Sequence, residues 1–290
     1  MDGLKLIADS GATKTEWRLV GKGSFKSFFT VGLSPYHMDR VQIRETLLKA
    51  FPKSLLKKEI VSIHYYGTGC KTKANANIVK KALEDLFPDA AVHVTHDLMG
   101  AAIATCGNKP GIACILGTGS NSCAFNGKKI LLNSPGLGYI LGDEGSGAYL
   151  GRKVVQHFLY GTFDDPLMKS FKDHFKTDKN EILQKVYKEP FANRYLASFT
   201  MFLSMHRGHF IIENIIEDGL RDFFEQHLGS YPQRFTFPIH FVGSIAFYFK
   251  DKIAELCHDF GFKLGVVIKQ PMDGLAAYHK KIKAKHQDEQ

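Results

Sequence analysis

Twice in this chain an apolar run stops abruptly at a turn rich in glycine and hydroxyl side chains, and a second short run then leads back. Near the N-terminus, Leu4-Lys5-Leu6-Ile7-Ala8 ends in Asp9-Ser10-Gly11-Ala12-Thr13-Lys14-Thr15, and Glu16 to Val20 returns. In the middle, Ile112 to Leu116 ends in Gly117-Thr118-Gly119-Ser120, and Asn121 to Phe125 returns toward Asn126-Gly127, a hairpin turn signal. Glycine lets the backbone turn with positive φ and brings main-chain N–H groups close to a ligand. Such turns commonly cradle phosphate. One alone would read as a plain hairpin; two in matching positions constrain the fold.

The elements after each turn also match. In the first half, strands at Phe25–Val31, Glu59–Tyr66 and Ala91–Thr95 alternate with helical periodicity at about Asp39 to Phe51, Ala74 to Phe87 and Leu98 to Cys106. Gly107-Asn108-Lys109-Pro110-Gly111 reads as a linker. In the second half, a strand at Lys129–Leu132 precedes helical material from about Ser146 to Tyr160, and Pro166 to Leu228 carries no strand signal. Strands return at Ile239–Val242 and Lys263–Ile268, each followed by a helix, the last over Asp273–Lys283. The order predicts two similar α/β domains, residues 1–107 and 108–290. The second is expected to carry a helical insertion at about 160–230, and the final helix can pack back on the first. In open sheets of this kind ligands bind outside the carboxyl ends of the strands. Both turns, Gly67-Thr68-Gly69, Asp97 and Gly243-Ser244 stand at such ends and are expected to line one interdomain cleft.

Composition narrows the class. Hydrophobic residues make up 44% and charged residues 23% of 290, as in globular proteins. No apolar run approaches the roughly 18 residues that span a bilayer. Asp2 and Asp9 interrupt any secretory h-region, and the five cysteines show no C-x-x-C spacing, so buried reduced thiols and a cytoplasmic location are expected, with no sign of a zinc site. The net charge of +9 invites a nucleic-acid reading. The lysines, however, are dispersed at helical spacing opposite apolar positions, as solvated faces are. No nucleic-acid or membrane partner is expected, and an anionic nucleotide substrate suits the same field.

Two common phosphate motifs fail on spacing. Gly69-Cys70-Lys71-Thr72 puts a cysteine where a P-loop has glycine followed by lysine, and Ser122 stands where a dinucleotide fingerprint needs its third glycine. The pattern D-S-G-A-T-K-T after an apolar strand instead resembles the first phosphate motif of the sugar kinase/actin/Hsp70 ATPase superfamily. I-L-G-T-G-S-N-S resembles its second, and V-G-S-I-A at Val242 to Ala246 its adenosine motif. Gly136 to Gly147, with Gly142-Asp143-Glu144-Gly145-Ser146 at its centre, resembles a segment of eukaryotic-type N-acetylglucosamine kinases of the BadF/BadG/BcrA/BcrD ATPase family. Thr95-His96-Asp97 with Gly100-Ala101-Ala102 resembles that family's segment with the catalytic aspartate. The likeness is collinear over essentially the whole chain.

The resemblance implies duplicated actin-like ATPase (ribonuclease H-like) domains and ATP-dependent phosphorylation of an amino sugar or N-acetylhexosamine with Mg²⁺. It implies Asp97 as the base on the sugar 6-hydroxyl. Asp9 would serve the metal, and Asp9, Gly11, Ala12, Thr13, Lys14, Gly117, Thr118, Gly119 and Ser120 the ATP phosphates. Gly243 and Ser244 would meet adenosine, and Tyr36, Asp97, Thr118, Gly138, Asp143 and Glu144 the sugar. A homodimer is the expected assembly. Residue chemistry agrees in kind, because phosphoryl transfer needs positioning, charge neutralisation and one carboxylate on the nucleophilic hydroxyl. Asp97 would otherwise read as the N-cap of a helix starting at Leu98, and Asp143-Glu144 as an acid pair at a helix start. The chain departs from the family at Gly32-Leu33-Ser34-Pro35-Tyr36-His37, where Tyr36 replaces an asparagine that contacts the sugar. His37 and His96 read as structural hydrogen-bonders, and Phe199, Phe202 and Phe210 as core or dimer contact. The second reading is an activator ATPase of the 2-hydroxyacyl-CoA dehydratase type. It needs cysteines at cluster spacing, and Cys70 and Cys106 do not supply that. A third is a nucleotide-binding sensor that has lost chemistry.

Overall fold

The computed structural model describes residues 3–11, 13–21 and 27–281. Ala12 of the first phosphate turn, Lys22 and Gly23 of the turn after β2, the first residues of the strand expected from Phe25, and the end of the final helix at Ile282–Lys283 lie outside the described residues. In chain order the elements are β1 (Leu4–Ser10), β2 (Lys14–Val20), β3 (Ser27–Val31), α1 (Arg40–Ala50), α2 (Lys53–Leu56), β4 (Ile60–Gly67), α3 (Lys73–Glu84), β5 (Ala91–Thr95) and α4 (Asp97–Cys106). They continue with β6 (Pro110–Leu116), β7 (Ser120–Asn126), β8 (Ile130–Asn133), α5 (Gly138–Leu141), α6 (Gly147–Tyr160), α7 (Asp165–Phe175), α8 (Lys179–Tyr187), α9 (Ala192–Ser198), α10 (Thr200–Met205) and α11 (Phe210–Gln226). The last are β9 (Ile239–Val242), α12 (Ser244–Tyr248), α13 (Lys250–Asp259), β10 (Leu264–Ile268) and α14 (Met272–Lys281).

The chain divides into two compact units. One takes residues up to Asn108 together with the described residues from Gln270 onward, and the other spans Lys109–Lys269. Each holds one five-stranded sheet, in the orders β3-β2-β1-β4-β5 and β10-β9-β6-β7-β8. In both, the opening strand pairs antiparallel with the second and parallel with the fourth. The two sheets therefore have one topology, and the fold is a duplicated α/β one.

In the first unit β1 is buried on both faces, which explains why its sequence is a continuous apolar run rather than an alternating one. Leu6 and Ala8 face a core built around Trp17, with Ile43, Leu47, Val79 and Leu83 from the helices. Ile7 faces the other side, where Met272, Leu275 and Ala276 of α14 pack with Ile103 of α4. In the second unit Ile112, Cys114 and Leu116 of β6 join a core filled largely by the helices between β8 and β9. There Phe199 and Phe202 are core residues, whereas Phe210 is exposed.

Local chemistry moves several boundaries. β1 runs on to Ser10 and β2 starts at Lys14, because Ser10 pairs with Thr15 and their buried hydroxyls bond at 2.7 Å. Pro110 opens β6, where its missing N–H is tolerated. The helix expected after Val242 breaks into α12 and α13 at Phe249, whose ring is buried. The Asn126-Gly127 turn forms, with Asn126 Oδ1 accepting from the amides of Lys128 and Lys129 and Gly127 at φ +92°. All five cysteines are buried. Among the described residues no helix is long and apolar enough to cross a membrane.

Candidate active site

Parallel strands end on the same edge, so the register of β1, β4 and β5 decides what meets there. Asp9 pairs with Tyr66, Tyr66 pairs with Thr95, and Ser10 pairs with Gly67. Thr95 therefore stands in the row of Asp9, and Asp97 follows two positions beyond it, past the end of β5 at the same sheet edge. Helix α4 begins at Asp97 itself, and the N-cap is His96, which makes no side-chain cap bond. Asp97 is thus not the cap that its position beside Leu98 suggests. Its Oδ1 accepts from the Leu98 amide at 2.9 Å, and its Oδ2 accepts from the Thr68 hydroxyl at 2.8 Å. The Thr68 amide in turn donates to the Ser10 carbonyl at 2.9 Å, tying this loop to the end of β1.

Asp9 is pushed up to about 7, first by burial and then by the charges of Asp97 and Glu16, with Lys14 pulling the other way. A buried carboxyl raised by neighbouring carboxylates is a place where a cation relieves repulsion. Among the described residues no group of three or more His, Cys, Asp or Glu side chains could cage a metal. A buried carboxylate such as Asp9 is the kind of donor that Mg²⁺ commonly takes, one or two at a time, with phosphate oxygens and water completing its octahedron.

Of the other first-turn residues, the Gly11 amide donates to the Lys14 carbonyl, the exposed Thr13 accepts from the Gly32 amide through its carbonyl, and the Lys14 ammonium lies 4.9 Å from the Phe29 ring centre. Tyr36 is 65% exposed, and a Cβ on Gly69 (φ +85°) would come within 3.0 Å of its ring. The Pro35-Tyr36 turn therefore rests on the loop that carries Thr68. Cys70, next along, is raised to about 12 by burial and by Asp97, which makes it a poor thiolate ligand.

In the second unit the start of α6 fixes the Gly117–Ser120 turn. The carbonyls of Gly117 and Thr118 accept from the amides of Gly147 at 2.7 Å and Ala148 at 3.0 Å, and the Gly117 amide donates to the Gly119 carbonyl. The amides of Thr118 and Gly119 take no part in these bonds. The Ser120 hydroxyl is buried and has no hydrogen-bond partner among the described residues. Asp143 reaches this turn: a Cβ on Gly119 would lie 2.9 Å from its Oδ2, and the Ser120 amide acts on its carboxyl. Burial raises the Asp143 carboxyl while that amide lowers it. Asp143 has φ +58°, a left-handed backbone for a residue with a side chain. Glu144 turns to a different partner, His227, whose Nε2 lies 3.0 Å from its Oε2. Gly138 (φ +74°) opens the short α5, whose Ile140 and Leu141 are exposed.

Gly243 has a second reason to be glycine. At φ +127° a Cβ would lie 2.1 Å from the Leu116 carbonyl oxygen and 3.1 Å from the Gly117 amide nitrogen. The turn after β9 is pressed onto the Gly117 turn, and Ser244 is exposed at the first position of α12. Sequence reasoning singled out the Gly67-Thr68-Gly69 turn but not Thr68 as the partner of Asp97. His227 carries no sequence signal at all, standing just past the end of an inserted helix.

Comparison with known proteins places this geometry. No family model matches the chain. A protein of known structure from Porphyromonas gingivalis, provisionally named an N-acetylglucosamine kinase, is 38% identical, with 95% of this chain and 98% of that one covered at a TM-score of 0.90. An N-acetylmuramic acid/N-acetylglucosamine kinase of Clostridium acetobutylicum is 24% identical over 231 residues, 74% of this chain and 75% of that protein. A glucokinase of the ROK family from Streptomyces griseus, solved with glucose and AMPPNP, shares the fold at 14% identity and a TM-score of 0.55, covering 95% of this chain and 98% of that one. The chain belongs to the N-acetylglucosamine kinase-like family of sugar kinases.

Proposed function

We propose that this protein transfers the γ-phosphoryl group of ATP to the 6-hydroxyl of an amino sugar or N-acetylhexosamine, with Asp97 as general base. The observation that carries the reading is the seating of Asp97. One oxygen is fixed by the Leu98 amide and the other by the Thr68 hydroxyl, at the strand-end edge that also holds Asp9, which the Asp97 charge helps raise. A carboxylate held from two sides is oriented for a hydroxyl that must be aligned before it attacks. In the step, Asp97 takes the hydroxyl proton, the sugar oxygen bonds to the γ-phosphorus, and the bond from that phosphorus to the bridging oxygen breaks to release ADP.

Asp9 would hold Mg²⁺, directly or through water; when bound, the ion supplies neutralisation of phosphate charge. Gly11, Thr13 and Lys14 would contact the phosphates from the first turn, and Gly117–Ser120 from the second. Gly243 and Ser244 would meet the adenosine. Asp143 would bind sugar hydroxyls, with Thr118, Gly138 and Glu144 beside it, and Tyr36 would shape the sugar loop. The relatives' names, N-acetylglucosamine kinase and N-acetylmuramic acid/N-acetylglucosamine kinase, support an N-acetylated hexose, and the AMPPNP complex of a protein with this fold supports ATP. A homodimer acting in the cytoplasm completes the proposal.

A screen of sugar-dependent ADP release over hexoses, hexosamines, N-acetylhexosamines and N-acetylmuramic acid tests it. Turnover with an N-acetylated or amino hexose is expected. ATP binding without turnover on any sugar would contradict it.

A further inference from the structure

Asp143 and Glu144 are adjacent, yet their carboxylates serve different partners. The left-handed backbone at Asp143 sets one against the Gly119-Ser120 turn and leaves the other to His227. Such a conformation on a residue with a side chain is strained and persists only where its surroundings hold it. Two contacts with α11 do the holding. Gly145 (φ +68°) sits so close that a Cβ there would lie 2.9 Å from Phe223 Cβ and 3.2 Å from the Gly219 carbonyl oxygen. One turn further along, the His227 ring stacks on Phe223 at 4.6 Å between centres and presents Nε2 to Glu144 at 3.0 Å.

His227 has one hydrogen-bond role to fill. Its side chain is 4% exposed, and its Nδ1 is buried with no partner among the described residues. An N–H at Nδ1 would be an orphaned donor, so the N–H that finds a partner is the one on Nε2, donated to Glu144. The bond is local to the strained turn, and it uses the carboxylate that does not face the Gly119-Ser120 turn. A hydrogen bond to a carboxylate from a buried donor is among the stronger ones in a protein, and here it works against that strain.

We infer that His227 is a positioning residue for acceptor binding: by holding Glu144 it fixes the strained turn that presents Asp143 to the sugar hydroxyls, without touching the sugar itself. The inference rests on the reading above, in which Asp143 binds the acceptor.

Two substitutions separate this role from general stability. His227→Phe keeps the stacking on Phe223 and removes the donor, whereas His227→Gln restores an N–H near the position of Nε2. With the sugar accepted by the wild type, His227→Phe is expected to raise the acceptor KM about tenfold or more while the KM for ATP stays within about twofold, and His227→Gln to recover most of the loss. Equal rises in both KM values, or no change in either, would overturn the inference. Hydrogen exchange at the amides of residues 143–146, measured without ligand, supplies a readout independent of turnover. Faster exchange in His227→Phe but not in His227→Gln is expected, and unchanged exchange in His227→Phe overturns the inference whatever the kinetics. If the wild type phosphorylates no sugar while exchange behaves as expected, the tie to the turn stands and the acceptor reading falls. Should His227→Phe fail to fold, Glu144→Ala removes the same bond from its more exposed side and is read by hydrogen exchange alone, because Glu144 itself stands beside the proposed sugar site; unchanged exchange there overturns the inference.

Discussion

The Thr68 hydroxyl donates to Asp97 Oδ2 at 2.8 Å, joining the loop after β4 to the first turn of α4. This bond orients the carboxylate proposed as base, and Thr68 is itself pinned by its amide to the Ser10 carbonyl. Thr68→Val keeps the shape and removes the donor. A hydrogen bond to a charged group contributes about 1.5–3 kcal/mol, so kcat is expected to fall about 10–100-fold, with the KM for ATP little changed. Thr68→Ser should retain most of the activity. Steady-state kinetics on the three proteins decide the point, and wild-type kcat in the valine variant would contradict it.

Gly243 makes a prediction about stability rather than turnover. A methyl group there would meet the Leu116 carbonyl oxygen at 2.1 Å, and backbone cannot rotate aside as a side chain does. Gly161 also has positive φ, +66°, but nothing lies within 4 Å of an added Cβ. Gly243→Ala should therefore lower Tm by roughly 5–10 °C, and Gly161→Ala by clearly less. Calorimetry on both variants checks the order. Equal melting temperatures would show that the turn after β9 is not pressed onto the Gly117 turn.

A third prediction concerns acid. On β4, His64 stacks on His279 of α14 at 4.0 Å and on His93 of β5 at 4.9 Å, and His279 Nε2 lies 2.8 Å from the Tyr66 hydroxyl. Burial first, then the neighbouring rings and Lys5, lower His64 to about 3 and His279 to about 4 from the usual 6.5. The folded protein thus binds fewer protons here than the unfolded chain. The contribution is fully present above about pH 6.5 and is lost as pH falls from there toward the folded values. Tm should drop steadily between about pH 7 and about pH 5, and less steeply in the His64→Gln, His279→Gln double variant. Parallel slopes in the two proteins would contradict this.

The fold was legible where burial is symmetrical. β1 and β6 are covered on both faces and so appear as unbroken apolar runs, and the paired turns after them mark the duplication. Four-residue helices such as α2 and α5 are too short to show periodicity, and the break at Phe249 has no glycine or proline to announce it. At the site, Asp9 and Asp97 could be read from their places at strand ends. Their electrostatic coupling could not, because it depends on the register of β1, β4 and β5. Thr68 and Asp97 stand 29 positions apart, and Glu144 and His227 stand 83 apart. Bonds at such separations leave no local pattern. Gly243 was visible as a glycine, but the backbone that requires it belongs to another strand.

The central claim is that Asp97 takes the proton from a sugar hydroxyl, and Asp97→Asn tests it most directly. The variant keeps the size of the side chain and an oxygen for the Thr68 hydroxyl but removes the base. With the sugar identified by the screen, sugar-dependent ADP release is expected to fall by at least about a thousandfold, with ATP binding nearly intact by titration calorimetry. Turnover comparable to the wild type would remove Asp97 as the base.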